Sequence, residues 1–112
     1  MKWKIALAAV LALLLAANLY ERLRLANRGE EAFARLGCGG CHSSGGGPNL
    51  NHVTNKHSEA LLLKFIQNPQ VVYRGRNGQP LNSGYMLMPN LHATEDDARA
   101  IVAYLKELNK QQ

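Results

Sequence analysis

Two cysteines and one histidine share five consecutive positions, and these side chains are well suited to holding a cofactor. The segment reads Cys38-Gly39-Gly40-Cys41-His42 and contains both cysteines of the 112-residue sequence. Two thiols three positions apart on a tight turn can add to the two vinyl groups of a porphyrin, and the adjacent imidazole can bind the iron. Gly39 and Gly40 let the backbone turn without side chains striking the ring. The spacing therefore predicts one covalent haem c, held by Cys38 and Cys41 with His42 on the iron.

The same cysteine spacing occurs in redox-active disulfides and in zinc sites. A thioredoxin-like disulfide lies in a βαβ unit, and no strand pattern surrounds this pair. A tetrahedral zinc site would need further ligands from His52, His57 or His92, and none of these has the spacing of a second ligand couple. We therefore favour haem attachment, with zinc and a disulfide as the alternatives.

A haem iron bound by one imidazole has a sixth position that a second side chain can fill. The candidates are two methionines and three histidines: Met86, Met88, His52, His57 and His92. Met88 precedes Pro89 in a loop, where a strap of chain could cross the far face of the ring. His52 and His57 lie in a polar segment and are better explained as solvated. Either methionine could instead fill a gap in a core, so Met86 stays open as a fallback for Met88.

The first 24 residues differ in composition from the rest and predict a membrane anchor. An unbroken apolar run covers residues 5–17, with Trp3 and Tyr20 near its two ends, where aromatic side chains favour the membrane interface. A helix from Trp3 to Tyr20 rises about 26 Å, enough for a slightly thin bilayer. The run also suits the core of a secretory signal peptide, and we favour the retained anchor. We divide the chain into this anchor, residues 1–24, and a cofactor domain, residues 25–112.

Behind the anchor, the apolar periodicity predicts three or four short helices and no strand. Helical spacing continues through residues 21–36, with a possible interruption at Asn27–Gly29. Ser58 and Thr94 are predicted N-caps of two later helices. The predicted loops, rich in Gly, Ser, Asn or Pro, cover residues 37–57 and 73–93. A domain of about eighty residues with two such loops buries too little apolar surface alone, which again indicates a large bound apolar group.

The charge distribution argues against a nucleic-acid partner. The formal net charge is +5, and four basic residues against one acidic residue place +3 of it in residues 1–24. The remaining +2 is weak, and no run of Lys or Arg interleaved with aromatic residues occurs.

Taken together, these residues resemble the class I c-type cytochromes over residues 29–108. The matching segments are Gly29 with Phe33, the C-x-x-C-H motif, Pro48-Asn49-Leu50, residues 62–69, Met88-Pro89 and Ala103-Tyr104-Leu105. The resemblance implies an all-α cytochrome c fold, in which three to four short helices wrap around one covalent haem. It also implies that the first and last helices of the domain cross near Gly29.

The same resemblance assigns roles to residues around the iron. It implies that the carbonyl of Pro48 accepts a hydrogen bond from the ring of His42, which would orient the imidazole. It implies Met88 as the second axial ligand. The sequence departs from the family at Met86-Leu87-Met88, which offers two methionines, and we favour Met88 over Met86.

An iron with two protein ligands has no open position for a substrate, so we expect a one-electron carrier and not an enzyme. The alternatives are a haem enzyme or gas sensor with a displaceable sixth ligand, and a structural subunit. The missing linker between Tyr20 and Gly29 favours a fixed subunit of a respiratory or photosynthetic complex over a mobile tethered or soluble periplasmic carrier. We expect a single pass through the inner membrane, a periplasmic haem domain, and other redox subunits as partners.

Overall fold

The structure, a computed structural model, describes residues 1–42, 49–69 and 88–110. The helices are α1 (Lys2–Arg35), α2 (Gly39–His42), α3 (Val53–Lys56), α4 (Glu59–Gln67) and α5 (Glu95–Lys110). No strand occurs within the described ranges, so the all-helical fold class predicted from the sequence is confirmed.

The first helix, α1, is a single element of 34 residues that runs from the apolar N-terminus into the folded domain. It stays helical through Asn27–Gly29, where the sequence allowed an interruption. Glycine has a low helix propensity, but Gly29 is buried, and the packing around it outweighs that local preference. The possible break at this triplet is therefore absent.

Helices α1 and α5 cross at Gly29. A Cβ atom at this position would overlap the carbonyl group of Ala100 and would lie 2.8 Å from the Cβ of Tyr104. Only a hydrogen atom lets the two backbones approach this closely. Ala26 and Ala32, which lie about one turn to either side, are also buried. The helix crossing implied by the resemblance is thus present.

The core lies between α1 and α5, and α3 and α4 pack onto α5. Its buried centre is formed by Ala32, Ile101 and Leu105. Partly buried apolar side chains surround this centre: Phe33, Leu36, Leu50, Val53, Ile66, Tyr104 and Leu108. Phe33 and Tyr104 meet edge to face with their ring centroids 5.5 Å apart, which joins α1 to α5 next to the crossing.

Both predicted N-caps are present. The hydroxyl oxygen of Ser58 accepts a hydrogen bond from the backbone N–H of Leu61 at 3.2 Å. The hydroxyl oxygen of Thr94 accepts one from the N–H of Asp97 at 3.0 Å, and the Asp97 carboxylate accepts one from the N–H of Thr94 at 3.4 Å. This reciprocal pair is a capping box. It defines where α5 begins.

Ion pairs join α5 to α1 and to α4. Arg35 on α1 binds Asp97 at 2.7 Å, and Lys106 on α5 binds Glu59 on α4 at 2.8 Å. The hydrogen bond from the Arg35 guanidinium lowers the pKa of the Asp97 carboxyl below its ordinary value. Exposed pairs of this kind contribute at most about 1 kcal/mol each, so they align the helices more than they stabilise them.

The prediction that residues 37–57 form a loop is wrong at α2 and α3, each of which is one helical turn. Contacts with α5 fix α3: Nδ1 of His52 and Nδ2 of Asn55 lie 2.9 and 3.4 Å from Oδ1 of Asn109. Val53 packs against the core. A single turn is too short to show helical periodicity in a sequence, and long-range contacts decide whether it forms.

The N-terminal part of α1 is apolar and exposed, and by length and composition it fits a single-pass membrane anchor. Its large exposed side chains include Trp3, Ile5, Leu7, Val10, Leu11, Leu13, Leu14, Leu15, Leu19 and Tyr20. None of its apolar window is buried within the protein. A core helix would bury such side chains, so this surface is suited to lipid.

Candidate functional site

The end of α1 positions the first cysteine. Gly37 has φ +75°, in the left-handed region, and this conformation ends the helix. The N–H of Gly37 donates to the carbonyl of Ala34 at 3.1 Å, and the N–H of Cys38 donates to the carbonyl of Phe33 at 3.1 Å. These two bonds form a Schellman motif. The backbone of Cys38 is therefore bonded directly to the last turn of α1.

The rest of the cysteine motif continues as one helical turn, α2. The N–H of Gly40 donates to the carbonyl of Gly37 at 3.0 Å. The N–H groups of Cys41 and His42 both donate to the carbonyl of Cys38, at 3.4 and 3.1 Å. From the apolar segment of α1 to the imidazole, the backbone is thus hydrogen-bonded helix or helix cap throughout.

The two thiols are both free and differ in exposure. Cys38 is 8% exposed, whereas Cys41 is exposed to solvent. Burial raises the pKa of the Cys38 thiol, and a hydrogen bond with its own backbone partly opposes this. His42, next along the turn, is half-buried. Two unjoined thiols beside an imidazole are the donor set that covalent haem requires, and the structure does not contain the disulfide alternative.

The surroundings of this turn are apolar and only partly covered. Leu36, Leu50, Val53 and Ile66 pack against the core, and each keeps part of its surface exposed. Leu36 lies two positions before Cys38, so its part of this apolar surface adjoins the first thiol. Covering apolar area contributes about 25 cal/mol per Å², and a porphyrin is a large apolar plate. The donors and the surface beside them therefore fit haem c.

The zinc alternative has no support in the structure. All four histidines and both cysteines lie in the described ranges, and within these ranges no three His, Cys, Asp or Glu side chains come together as a metal site. A zinc site would have required His52, His57 or His92 to approach the cysteine pair.

Met88 begins the described segment that leads into α5, and it is half-buried. The other end of this segment is firmly held: Ala93 is buried, and the Asn90 side-chain oxygen accepts a hydrogen bond from the N–H of His92 at 2.8 Å. Thr94 then caps α5. The segment that carries Met88 is thus anchored to the helix that packs on α1. Its role as an iron ligand stays a prediction.

The other candidates for the iron site fall into two groups. Pro48 and Met86 lie outside the described residues, so the predicted hydrogen bond to Pro48 and the fallback ligand Met86 stay predictions. His52, His57 and His92 are exposed, which agrees with the interpretation of His52 and His57 as solvated side chains.

Contacts that fix the site to the fold were not predicted from the sequence. The Schellman motif had a readable signal, because Gly37 directly follows the last helical residues of α1. The contact between Arg35 and Asp97 had none, since 62 positions separate the two residues. Together these contacts hold the cysteine-bearing turn at one end of α1.

Comparison with known proteins adds an independent finding. A family model described as Cytochrome c matches residues 26–109. The chain is also 30% identical over 91 residues to cytochrome c oxidase subunit 2 of Alkalihalophilus pseudofirmus, in an alignment that covers 75% of this chain and 26% of that relative. No solved structure matches the chain.

Proposed function

This chain belongs to the cytochrome c family, and on that premise we propose that it is a membrane-anchored one-electron carrier working as a fixed subunit of a respiratory complex. Membership of the family implies covalently bound haem c, which supplies the one-electron redox chemistry. In this chain Cys38 and Cys41 would hold the haem through thioether bonds. His42 and Met88 would bind the iron.

The observation that carries the proposal is the continuous backbone between the apolar segment and the cysteine motif. Helix α1 runs unbroken from Lys2 to Arg35, the Schellman motif follows, and α2 begins at Gly39. A carrier that roams on a tether needs flexible residues between anchor and domain. Instead, the helix rises about 22 Å from Tyr20 to Arg35. This geometry supports a haem site held at one height above the membrane.

The ligand set supports electron transfer over catalysis. With the His42 imidazole and the Met88 thioether both on the iron, no ligand position would remain for a substrate. A methionine ligand also favours ferrous iron and raises the reduction potential. Two protein ligands on the iron would let it change oxidation state with little rearrangement of the chain.

The relative supports a respiratory setting, because its name describes a subunit of cytochrome c oxidase. We propose neighbouring redox subunits in the membrane as the electron donor and acceptor. The proposed location is the inner membrane, with one pass through it and the haem domain on the periplasmic side.

Two insertions into α1 between Arg24 and Leu25 test whether the site is fixed. Seven helix-forming residues would raise the cysteine motif by about 10 Å and keep its facing direction to within about 20°. Seven Gly and Ser residues would make the tether flexible. We expect both insertions to slow oxidation of the haem in native membranes. The control is Arg24→Ala, which keeps the length of the helix and should keep the rate.

A mobile carrier would respond differently to the same two insertions. Its haem would be oxidised at the wild-type rate in the variant with the Gly and Ser insertion. The oxidation rate would fall only slightly in the variant with the helical insertion. Unchanged rates in both variants would therefore contradict the fixed-subunit proposal. Haem content and membrane retention of each variant need to match those of the wild type for the comparison to hold.

A further inference from the structure

A groove opens where α1 leaves its apolar segment and meets α4 and α5. Its volume is about 360 Å³, and its walls carry the basic side chains of Arg22, Arg99 and Lys106 together with the carboxylates of Glu59 and Glu107. This groove lies on the side of the domain nearest the apolar segment, away from the cysteine motif. The proposed electron transfer does not use it.

The carboxylates in the groove are already paired. Glu59 binds Lys106 at 2.8 Å, and Glu107 binds Lys110 at 3.2 Å. A lysine ammonium has three N–H donors. Lys106 therefore keeps donors for an anion while it holds Glu59.

The two arginines of the groove keep more N–H donors available for an anion than Lys106 does. Arg99 donates through Nε and Nη2 to Glu95, at 3.2 and 2.7 Å, so part of its five-donor guanidinium stays available. Arg22 makes no ion pair with any residue in the described ranges. The groove thus has an unpaired guanidinium next to two partly used cations, which suits an anion.

A second groove extends the same basic surface along α1. It has a volume of about 380 Å³ and includes Arg22, Arg24 and Arg28, with Glu21 as its one carboxylate. Arg24 and Arg28 also lack ion pairs within the described part of the chain. The surface of α1 just beyond the apolar segment is therefore cationic.

The depth of Arg22 corresponds to lipid phosphates. Tyr20 marks the membrane interface, and Arg22 lies about 3 Å further along the helix axis. The headgroup layer is roughly 5–7 Å thick on each side of a bilayer. Arg22 is thus at headgroup level whenever α1 spans the membrane.

Two further features favour a lipid over a soluble anion. The first groove has apolar walls from Leu25 and Ala103, and the exposed side chain of Leu19 lies one turn before Arg22 on the same face of α1, which suits a molecule with a phosphate and acyl chains. Arginines that follow a span also tend to stay on the cytoplasmic side. In the proposed orientation, Arg22 lies on the opposite side of the membrane, together with the haem domain. A contact between Arg22 and a lipid phosphate would compensate for this unfavourable placement of its charge.

We propose that the groove binds the phosphate of an anionic phospholipid in the leaflet facing the haem domain, with Arg22 as the main contact and Arg99 and Lys106 beside it. This site rests on the membrane-spanning part of the proposed function and on no redox property. It would hold the domain close to the bilayer surface and keep α1 at a fixed depth.

Native mass spectrometry of the full-length haem protein in mild detergent tests the site, with phosphatidylglycerol and phosphatidylcholine as probes. We expect phosphatidylglycerol to bind more tightly than phosphatidylcholine. Arg22→Gln should weaken its binding about fivefold, the effect of one basic residue near an anionic surface. The matched control is Arg35→Gln, which removes the same charge about 20 Å further along α1 and should leave lipid binding unchanged.

Three results would overturn the proposal: equal binding of the two lipids, equal weakening by Arg22→Gln and Arg35→Gln, or binding of inorganic phosphate as tight as that of phosphatidylglycerol. The haem spectrum of each variant checks that it is folded. Carbonate washing of native membranes distinguishes a failure of the membrane anchor from a failure of the lipid site. Release of the chain would contradict the membrane anchor itself, whereas retention without lipid preference would contradict only this site.

Discussion

In the proposed site, the sulfur of Met88 would determine whether the iron has two protein ligands or an open position. We expect Met88→Ala to let the reduced protein bind carbon monoxide promptly, because no side chain then competes for that position. We also expect a fall in reduction potential on the order of 100 mV, within the roughly 0.8 V range set by axial ligands. Optical spectra with carbon monoxide and a redox titration measure both effects.

Met86→Ala is the matched control for Met88→Ala, since it removes a thioether two residues away. It should leave the spectrum and the potential unchanged. The reverse pattern would make Met86 the ligand. Prompt carbon monoxide binding by the wild-type protein would instead favour a haem enzyme or gas sensor.

At the same scale, the contact between Arg35 and Asp97 makes stability depend on pH. The pKa of Asp97 is lower in the folded chain than its ordinary value, because Arg35 donates a hydrogen bond to it. The contribution of this contact to the free energy of unfolding is therefore complete above the ordinary carboxyl pKa of about 3.9. It is lost as pH falls through the lowered pKa of Asp97 in the folded chain. Arg35→Gln should lower the free energy of unfolding by less than about 1 kcal/mol at neutral pH.

The difference in the free energy of unfolding between Arg35→Gln and the wild type should shrink as pH falls below about 4. Urea unfolding followed by circular dichroism at pH 7 and pH 3 measures it. Arg28→Gln removes the same charge from α1 at a position without an ion pair among the described residues, and it should show no such convergence. A difference that is equal at both pH values would contradict the assigned role of Asp97.

At the scale of the elements, the crossing of α1 and α5 depends on the missing side chain at Gly29. Alanine is the better helix former by about 1 kcal/mol, so an isolated helix would gain from Gly29→Ala. In the fold the added methyl would overlap the Ala100 carbonyl. Overpacking typically costs 1–3 kcal/mol, and overlap with a backbone carbonyl places the cost at the upper end, so we expect a net loss of about 2 kcal/mol after the helix-propensity gain.

Asn27→Ala is the control for Gly29→Ala, because Asn27 is exposed on the same helix. It should be neutral or slightly stabilising. Denaturant unfolding of the full-length haem protein compares the two variants. Equal stabilisation by the two substitutions would mean that α5 does not pack closely against α1 at Gly29.

The caps of the helices show how local bonds place the cysteine motif. The Schellman motif ends α1 at Gly37 and places Cys38 directly beside its last turn. The capping box at Thr94 starts α5 and recruits Asp97, which also binds Arg35. Two local motifs are thus joined by one long-range contact, which brings the cysteine motif and the Met88 segment into the same domain.

At the scale of the whole molecule, the protein is elongated, and α1 belongs to both of its parts. The chain extends 65 Å along its longest axis, with α1 exposed at one end and packed on α5 at the other. Burial on α1 begins near Ala26. The division after residue 24 stays a prediction, because one helix passes through it without a change in backbone structure.

This continuity predicts resistance to proteolysis. Arg22, Arg24 and Arg28 are trypsin sites, but a protease needs to extend the backbone around the cleaved bond, and α1 holds all three in helix. We expect trypsin to release the haem domain only slowly from intact membranes. The variant with the Gly and Ser insertion after Arg24 should release it rapidly. Rapid release from the wild type would indicate a mobile tether and contradict a fixed subunit.

Features that depend on short stretches of chain could be predicted from residue types and spacing alone. The C-x-x-C-H motif carries its chemistry within five residues, and the segment from Trp3 to Tyr20 is long enough for a slightly thin bilayer. Ser58 and Thr94 cap helices through bonds to residues three positions away. Such interactions are local, so residue types and spacing are enough to recognise them.

Features that depend on distant residues could not be predicted in this way, and they follow from the folded arrangement of the helices. This arrangement made α1 continuous at Gly29, where local propensity alone allowed a break, because α5 packs against that position. It also formed α3 and paired Arg35 with Asp97 through contacts across the chain. These outcomes depend on the fold as a whole, since each partner lies more than fifty positions away from the residue it contacts.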